Sequence, residues 1–286
     1  MNEVTIRLGG VPEHFNLPIH LAIEEGKFSA NGINLVWTDF PGGTGQMLEA
    51  LETKEIDVCI TLTEGTITQI IQGKPFKIIS EYVSSPLIWG IHTGINNPLS
   101  SGENMFDKLH AISRFGSGSH LMPRVNANTQ GLELKKEQFV VINNLNGAVE
   151  SLNKLESDVF YWEKYTTKPL VDSGALKKIG EYPTPWPCFV ITAHDDVLLQ
   201  KKDSIEKMLE IIHTSCVDFM VSTSAISLVS SRYQQKIEDT ERWFQETKWA
   251  KDSSISTQMI EMVINLLKSS DIIDENQKIP SILWPH

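Results

Sequence analysis

Cysteine is scarce in this chain. Only Cys59, Cys188 and Cys216 occur among 286 residues, at wide spacing and without a CxxC pair. An odd number of dispersed cysteines argues against a disulfide framework and against a zinc site. Cys59 and Cys188 stand in apolar strand patterns, so we interpret them as small buried side chains. The histidines show no metal-ligand spacing either, and no metal site is expected.

Positive charge is also in short supply, with 25 Lys and Arg against 36 Asp and Glu and a formal net charge of −11. No dense basic run occurs, which argues against a nucleic-acid partner or an anionic membrane surface. No window approaches the roughly 18 consecutive apolar residues of a membrane span, so no membrane insertion is expected. No leader pattern precedes the first strand. We therefore expect a cytoplasmic protein as written, or a periplasmic or extracellular one if a signal peptide was removed.

What the chain does contain is a strand–turn–helix–strand pattern around Pro41–Gly65. Apolar residues 35–37 precede a glycine-rich turn at residues 42–45, and apolar residues then recur at helical spacing over 47–51. A short apolar strand follows at residues 58–62. The pattern predicts a βαβ unit, whose free backbone N–H groups lie at the carboxyl ends of parallel strands, where open α/β sheets bind ligands.

A similar pattern returns between residues 90 and 187. The first half begins with a strand pattern that Gly9–Gly10 is expected to end. In the second half Gly116–His120 opens a helix, and Asn146 is expected to cap the next one. Asp158 precedes an apolar strand there, as Asp57 does in the first half. The chain therefore reads as two similar α/β systems.

Two extended crossings, near residues 82–92 and 183–193, predict two lobes with a cleft between them. We assign residues 1–88 and 189–286 to a discontinuous lobe 1, which includes the C-terminal helices, and residues 89–188 to lobe 2. Each lobe is expected to hold a mostly parallel sheet flanked by helices, so the predicted class is α/β.

Several family patterns occur between residues 4 and 165. The first is an Ala-x-x-x-Gly-x-Phe-x-x-x-Gly-Ile-x-Leu run at Ala22, Gly26, Phe28, Gly32, Ile33 and Leu35. The second is an Ala-Leu pair followed by an aspartate, at Ala50, Leu51 and Asp57. The others are the Gly-Lys-Pro-led strand Gly73–Ile79 and the Gly-Ser-Gly-Ser-His run Gly116–His120. Together these patterns resemble the type II periplasmic binding proteins. The nearest members are the sulfonate-, taurine- and thiamine-pyrimidine-binding proteins, the NMT1/THI5-like group.

The resemblance implies a Venus-flytrap fold that grips a small ligand between its lobes, without a catalytic residue or a cofactor. It implies ligand contacts in the loops after the first strands, at the Gly-Ser-Gly-Ser helix start and in the turn after the Asp-led strand of lobe 2. In this sequence the ligand-binding candidates are Pro12, His14, Phe15, Gly43, Thr44, Thr61, Glu64, Ser84, Ser117, Gly118, Ser119, His120, Asn143, Trp162 and Glu163.

The candidates do not all favour the same ligand. The helix start within Gly116–His120 offers N–H groups and partial positive charge to an anion, and His120 adds charge below its pKa. Glu64 and Glu163 would instead favour a cation if they faced the ligand. Trp162 could stack on a flat molecule. The alternative for each candidate is structural: a capped helix, a tight turn, a solvated carboxylate or core packing.

Three functions fit these patterns. The first is a solute-binding protein that captures a small anionic or heteroaromatic metabolite, acts as a monomer, and serves an ABC permease if it is exported. The second is a cytoplasmic enzyme of thiamine-pyrimidine or related precursor synthesis on the same fold. The absence of a cysteine-rich iron motif and of an evident acid–base pair argues against that enzyme. The third is a ligand sensor whose closed form docks on another protein.

Overall fold

The structure is a computed structural model that describes residues 3–285. Its strands are β1 (Val4–Gly10), β2 (Ile33–Asp39), β3 (Val58–Leu62), β4 (Phe76–Val83), β5 (Ile88–Gly94), β6 (His110–Ile112), β7 (Phe139–Val141), β8 (Val159–Glu163), β9 (Leu176–Pro183) and β10 (Phe189–His194). Its α-helices are α1 (Leu17–Glu24), α2 (Thr44–Glu52), α3 (Thr63–Ile71), α4 (Gly118–Thr129), α5 (Leu145–Asn153), α6 (Lys164–Asp172), α7 (Asp195–Gln200), α8 (Lys202–Val221), α9 (Ala225–Tyr233), α10 (Ile237–Glu246) and α11 (Thr257–Ser269).

The chain divides into two compact units. Unit 1 comprises the chain up to Ser85, Trp186–Glu261 and the chain from Lys278 onward, and unit 2 comprises Pro86–Pro185 and Met262–Gln277. The sequence assigned residues 262–277 to lobe 1, whereas the structure groups them with unit 2. Hydrogen bonds explain the difference, because the Asn128 side chain on α4 donates to the Ser269 carbonyl at 2.6 Å and accepts from the Ser269 hydroxyl at 3.1 Å.

Unit 1 is built on a five-stranded sheet in the order β2-β1-β3-β10-β4. β1 pairs in parallel with β2 and β3, whereas β10 runs antiparallel to β3 and β4. The central strands read as nearly continuous apolar runs because helices cover both faces of such a sheet. Ile6, Leu8, Val58, Val190 and Ile191 are accordingly fully buried.

Unit 2 repeats this arrangement with the order β7-β6-β8-β5-β9. β6 is parallel to β7 and β8, and β5 is antiparallel to β8 and β9. Its core contains the buried side chains of Ala111, Ala148, Leu152, Phe160 and Leu176. The prediction of an α/β fold with mostly parallel sheets is confirmed, since one strand in each sheet runs against the other four.

The glycines at positions 9 and 10 are the last two residues of β1 and still pair with β2, opposite Thr38 and Asp39. A β-carbon on Gly10 would lie 2.3 Å from the ring of Trp37, and one on Gly9 would lie 2.7 Å from the ring of Phe40. Glycine is needed here because aromatic rings from β2 and the segment after it lie directly on the strand. The sequence predicted that these glycines end the strand. The strand does end at Gly10, but both glycines pair within it, and the pattern alone cannot reveal the two rings.

An aspartate anchors the same strand junction in both units. The backbone N–H of Arg7 on β1 donates to Asp57, which immediately precedes β3, at 2.9 Å. In unit 2 the backbone N–H of Leu109, just before β6, donates to Asp158, which immediately precedes β8, at 3.1 Å. The repeated Asp-led strand therefore fixes the register between neighbouring strands by accepting a main-chain hydrogen bond.

The cap of α5 provides a test of local stability. Asn144, and not Asn146 as the sequence suggested, accepts the Gly147 N–H at 3.0 Å. We expect Asn144→Ala to lower the free energy of unfolding by about 1 kcal/mol, because an N–H of the first turn loses its acceptor. The matched Asn146→Ala variant, at an exposed position two residues onward, should change it by less than about 0.5 kcal/mol. Equal losses in urea unfolding would contradict this assignment.

Within residues 3–285, no single helix combines the length and apolar character required to cross a membrane. One pair of helices, α8 and α9, passes that test jointly, but the pair is bent by 101°.

Candidate functional site

The loop after β1 carries the first three candidates, and they differ in exposure. Pro12 is exposed, whereas His14 and Phe15 are buried. The His14 ring stacks on Phe15 with centroids 4.8 Å apart and meets Trp243 of α10 edge-on at 4.3 Å. Burial lowers the pKa of His14 to about 3. The imidazole is therefore neutral at neutral pH and offers hydrogen bonds without charge.

Gly43 and Thr44 of the glycine-rich turn form the start of α2 and attach it to the neighbouring strand. Gly43 adopts a φ of +72°, which favours glycine, and ends the turn before Thr44. The Thr44 hydroxyl accepts the backbone N–H of Leu62 at 3.0 Å. Gly65 comes so close that a β-carbon there would lie 2.8 Å from the Thr44 methyl group. Thr44 thus ties the start of α2 to the end of β3.

Thr61 lies in a buried group of threonine hydroxyls. Its Oγ1 is 2.6 Å from that of Thr66 and 3.1 Å from that of Thr192 on β10. All three side chains are fully buried. These contacts give the Thr61 hydroxyl internal partners that join β3, α3 and β10.

Glu64, in the first turn of α3, is a fully buried carboxyl group. The Trp186 indole N–H donates to its Oε2 at 2.9 Å, while its buried Oε1 has no hydrogen-bond partner among the described residues. Burial raises the pKa of Glu64 to about 7. A substantial fraction of these carboxyl groups is therefore protonated at neutral pH, and Glu64 is not the solvated carboxylate of the alternative interpretation.

Ser84 completes the candidates of unit 1. Its backbone N–H donates to the Lys248 carbonyl at 2.8 Å. Burial raises the pKa of the neighbouring Glu81 carboxyl group, and the Ser84 hydroxyl acts in the opposite direction. Ser84 therefore links the end of β4 to the segment that follows α10.

In unit 2, the turn before α4 brings Ser117, Gly118, Ser119 and His120 together. The Ser117 hydroxyl donates to the Arg114 carbonyl at 2.7 Å and lies 3.0 Å from the Ser119 hydroxyl. Ser119 Oγ in turn accepts the Ser113 N–H at 2.9 Å. The two hydroxyls thus shape the turn. The N–H groups of His120 and Leu121 reach the Ser117 carbonyl.

The first two N–H groups of α4 have no such acceptor. No hydrogen bond is formed by the Gly118 or Ser119 N–H within residues 3–285, as expected at a helix start without a capping side chain. Because the helix dipole adds partial positive charge there, this end of α4 suits an anion.

His120 contributes no charge to that helix start at neutral pH. Burial, with a smaller contribution from the nearby charge of Arg124, lowers the pKa of His120 to about 4. Its Nδ1 accepts the Gly116 N–H at 3.1 Å, and its ring packs edge-on against Phe139 at 4.7 Å. The positive charge that the sequence allowed for His120 is therefore confined to acidic pH.

The remaining candidates of unit 2 differ in exposure and in how far their side chains are already engaged by other residues. Asn143 is exposed at a φ of +67°. Trp162 is half-buried and stacks on Phe160, with ring centroids 5.3 Å apart. Glu163 caps its own helix, since its two oxygens accept the N–H groups of Tyr165 at 3.0 Å and Thr166 at 2.6 Å. The Glu163 carboxylate thus has a structural role in starting α6.

Within each unit the structure brings some candidates together. Thr44 and Thr61 lie at the α2–β3 junction of unit 1, and residues 117–120 form one turn of unit 2. That both sets contact one ligand stays a prediction. Sequence reasoning missed Gln235 and Trp243, which contact His14, because no local pattern links residues so far apart in the chain. Within residues 3–285, no three His, Cys, Asp or Glu side chains are grouped to hold a metal ion.

Comparison with known proteins shows which families and structures this chain resembles. The family model described as Ca3427-like PBP matches residues 89–182, within unit 2. No curated protein matches the chain by sequence.

Solved structures match over nearly the whole chain. The Candida albicans CA3427 gene product, described as exhibiting the generic periplasmic binding protein fold, is 26% identical with a TM-score of 0.90, covering 99% of this chain and 98% of that one. The alkanesulfonate-binding protein SsuA from Xanthomonas axonopodis pv. citri, bound to MOPS, is 12% identical with a TM-score of 0.78 over 99% of both chains. The aliphatic sulphonate-binding protein SsuA from Escherichia coli is 15% identical with a TM-score of 0.70, covering 98% and 92%. This chain is therefore a protein of the type II periplasmic-binding-protein fold.

Proposed function

We propose that this protein is a solute-binding protein that captures a small organic anion, a sulfonate or a carboxylate, at the start of α4. Two SsuA proteins of similar fold are sulfonate-binding proteins, and another neighbour is the ligand-binding component of an ABC-type import system from Staphylococcus aureus. By the same reasoning, delivery of the solute to an ABC permease by a monomeric carrier is part of the proposal.

The observation that carries the proposal is the free helix start at Gly118 and Ser119. Two adjacent N–H groups without protein acceptors are preorganised donors for the oxygens of one anionic group. The surroundings also favour an anion, because the positive charge of Arg124 acts on His120 in the first turn of α4. The protein as a whole carries a net charge of −11, so an anion would depend on this local positive potential.

A proline substitution can remove one donor and leave the helix intact. Proline is well tolerated at the first helical position, and Ser117 already has the extended backbone (φ −78°, ψ 164°) that a following proline requires. We expect Gly118→Pro to weaken binding of taurine, methanesulfonate or acetate at least about tenfold, because a charge-assisted hydrogen bond is worth about 1.5–3 kcal/mol.

The matched control is Gly118→Ala, which keeps the N–H group and adds only a methyl group. A thermal-shift screen would identify the anion that stabilises the wild type, and calorimetry would then compare the two variants. Equal affinities in Gly118→Pro and Gly118→Ala would contradict the proposed site. If no small anion raises the melting temperature of the wild type, the proposed function is wrong.

A further inference from the structure

Four buried polar atoms near the loop after β1 have no hydrogen-bond partner within residues 3–285. They are His14 Nε2, Asn16 Oδ1, Gln235 Oε1 and Trp243 Nε1. The residues His14, Asn16, Gln235 and Trp243 are called the His14 cluster below. His14, Asn16 and Trp243 are at most 3% exposed, and the whole cluster belongs to unit 1. Buried polar atoms are normally hydrogen-bonded, so four unpartnered ones in a single cluster require an explanation.

Direct contacts connect His14 with two other members of the His14 cluster, Gln235 and Trp243. Gln235 Nε2 donates to His14 Nδ1 at 3.3 Å, and the rings of His14 and Trp243 are 4.3 Å apart. Asn16, two residues beyond His14, donates through Nδ2 to the Val11 carbonyl at 2.7 Å. In His14, Asn16 and Gln235 the second polar atom of the side chain is thus already hydrogen-bonded, whereas Trp243 is held by its ring contact with His14.

These contacts determine which open atoms donate and which accept. Because His14 Nδ1 accepts a hydrogen bond from the Gln235 amide, a neutral imidazole carries its proton on Nε2. His14 Nε2–H and Trp243 Nε1–H are thus two open donors. Gln235 Oε1 and Asn16 Oδ1 are two open acceptors. A partner for this cluster must both accept and donate hydrogen bonds.

The partner must also be uncharged. Desolvation keeps His14 neutral, and no charged group contributes to that effect. The surrounding walls are aromatic, with Phe15 stacked on His14 and the Tyr233 ring 6.0 Å away. An ion placed against His14 would lose its hydration among aromatic rings, at a large cost in free energy. A neutral group next to aromatic rings would not incur that cost.

We propose that the His14 cluster binds the amide edge of a neutral lactam or similar heteroaromatic solute, whose C=O accepts from His14 or Trp243 and whose N–H donates to Gln235 or Asn16. This site is additional to the proposed anion contact at α4 and does not depend on it. Ring faces suit the aromatic surroundings, and a C=O beside an N–H matches the open donors and acceptors of the cluster.

The segment between α9 and α10 covers the cluster. Gln235 is fixed there by its N–H, which donates to the Ser230 carbonyl at 3.1 Å, and by its own carbonyl, which accepts the Ser230 hydroxyl at 2.7 Å. The preceding residue, Gln234, has a φ of +53°, in the left-handed region that is unfavourable for a residue with a β-carbon. A solute reaches the cluster when this short segment opens. When the segment closes, the solute supplies the missing hydrogen-bond partners of the four open atoms.

The test uses 2-pyridone as the probe and the indole ¹⁵N–H resonance of Trp243 as the readout, assigned with a Trp243→Phe variant. We expect 2-pyridone to shift that resonance in the full-length protein. Gln235→Met should weaken the probe's affinity about tenfold by removing one acceptor. Gln234→Met is the matched control, since Gln234 is exposed and should leave the affinity unchanged. N-methyl-2-pyridone, which lacks the N–H donor, should bind as weakly to the wild type as 2-pyridone binds to Gln235→Met.

Three results would overturn the inference. They are an unmoved Trp243 resonance, equal 2-pyridone affinities in the Gln235→Met and Gln234→Met variants, and an indole N–H that contacts an ordered water only. In each case a small anion that still stabilises the protein would leave the proposed anion-binding function standing. Melting temperatures of both glutamine variants verify that they are folded. Asn16→Leu removes the other open acceptor and repeats the test if Gln235→Met does not fold.

Discussion

Replacing Asp57 with alanine is expected to lower the free energy of unfolding by about 3 kcal/mol. The Asp57 side chain is only 4% exposed and pairs with two cations that reach it from solvent, Arg7 and Lys201. Arg7 donates through Nη2 to Oδ1 at 2.7 Å, and Lys201 donates through Nζ to Oδ2 at 3.2 Å. The same Oδ2 accepts the Arg7 backbone N–H. The substitution would leave that N–H without its acceptor and remove the link between the start of β3 and Lys201, which precedes α8.

The acid sensitivity of this network has a defined sign. Burial alone would raise the pKa of Asp57, but the hydrogen bonds from Arg7 and Lys201 and the charge of Lys201 together lower it below its ordinary value. The stabilisation is therefore complete above the unfolded-state pKa, about 3.9, and is lost as the pH falls through the lower folded-state value. An Asp57→Asn variant should lose this acid-dependent component of stability.

Asp158 is a natural control for Asp57. It occupies the equivalent position in unit 2 and accepts from the Leu109 N–H and the Asn97 side chain, at 3.1 and 2.8 Å. No Lys or Arg of the described chain, residues 3–285, pairs with it. Asp158→Ala should therefore cost only about 1 kcal/mol, as for ordinary hydrogen bonds. Urea unfolding of both variants measures the difference. Equal losses would mean that the two cations add nothing to the junction at Asp57.

The fold could be predicted because its signals are local and repeated. Asp57 and Asp158 each begin an apolar strand, and Gly43 marks the turn into a helix in the first βαβ unit. Such patterns reflect backbone requirements that a few adjacent residues meet. The position of residues 262–277 could not be predicted in this way, because it depends on the contact between Asn128 and Ser269 across 141 positions.

The candidate site was harder to predict than the fold, because a residue type does not reveal what its polar atoms contact. Ser119 and Glu163 match the family pattern, yet their oxygens hold the turns from which their own helices begin. His14 was chosen as a ligand contact from its place after β1. Its neighbour Gln235 lies 221 positions away, so its neutrality and its open donor follow only from the tertiary structure.

The second large effect is expected at Glu64, where stability should fall as the pH rises. The pKa of Glu64 is raised by burial from 4.5 to about 7. Between those values the folded protein holds a proton that the unfolded chain has lost, so the free energy of unfolding decreases with increasing pH across this window. It is highest below about pH 4.5 and level above about pH 7. The difference corresponds to about 3 kcal/mol.

Glu64→Gln should remove this dependence, because an amide has no charge to bury and still accepts the Trp186 indole N–H. Relative to wild type, the variant should gain about 3 kcal/mol of stability between about pH 4 and pH 8. The exposed Glu49→Gln on α2 is the matched control and should follow the wild type at every pH. The Trp186 indole resonance should titrate near pH 7 in the wild type alone. If that resonance also moves in Glu64→Gln, or if both glutamine variants show the same pH profile, the buried Glu64 carboxyl is not the titrating group.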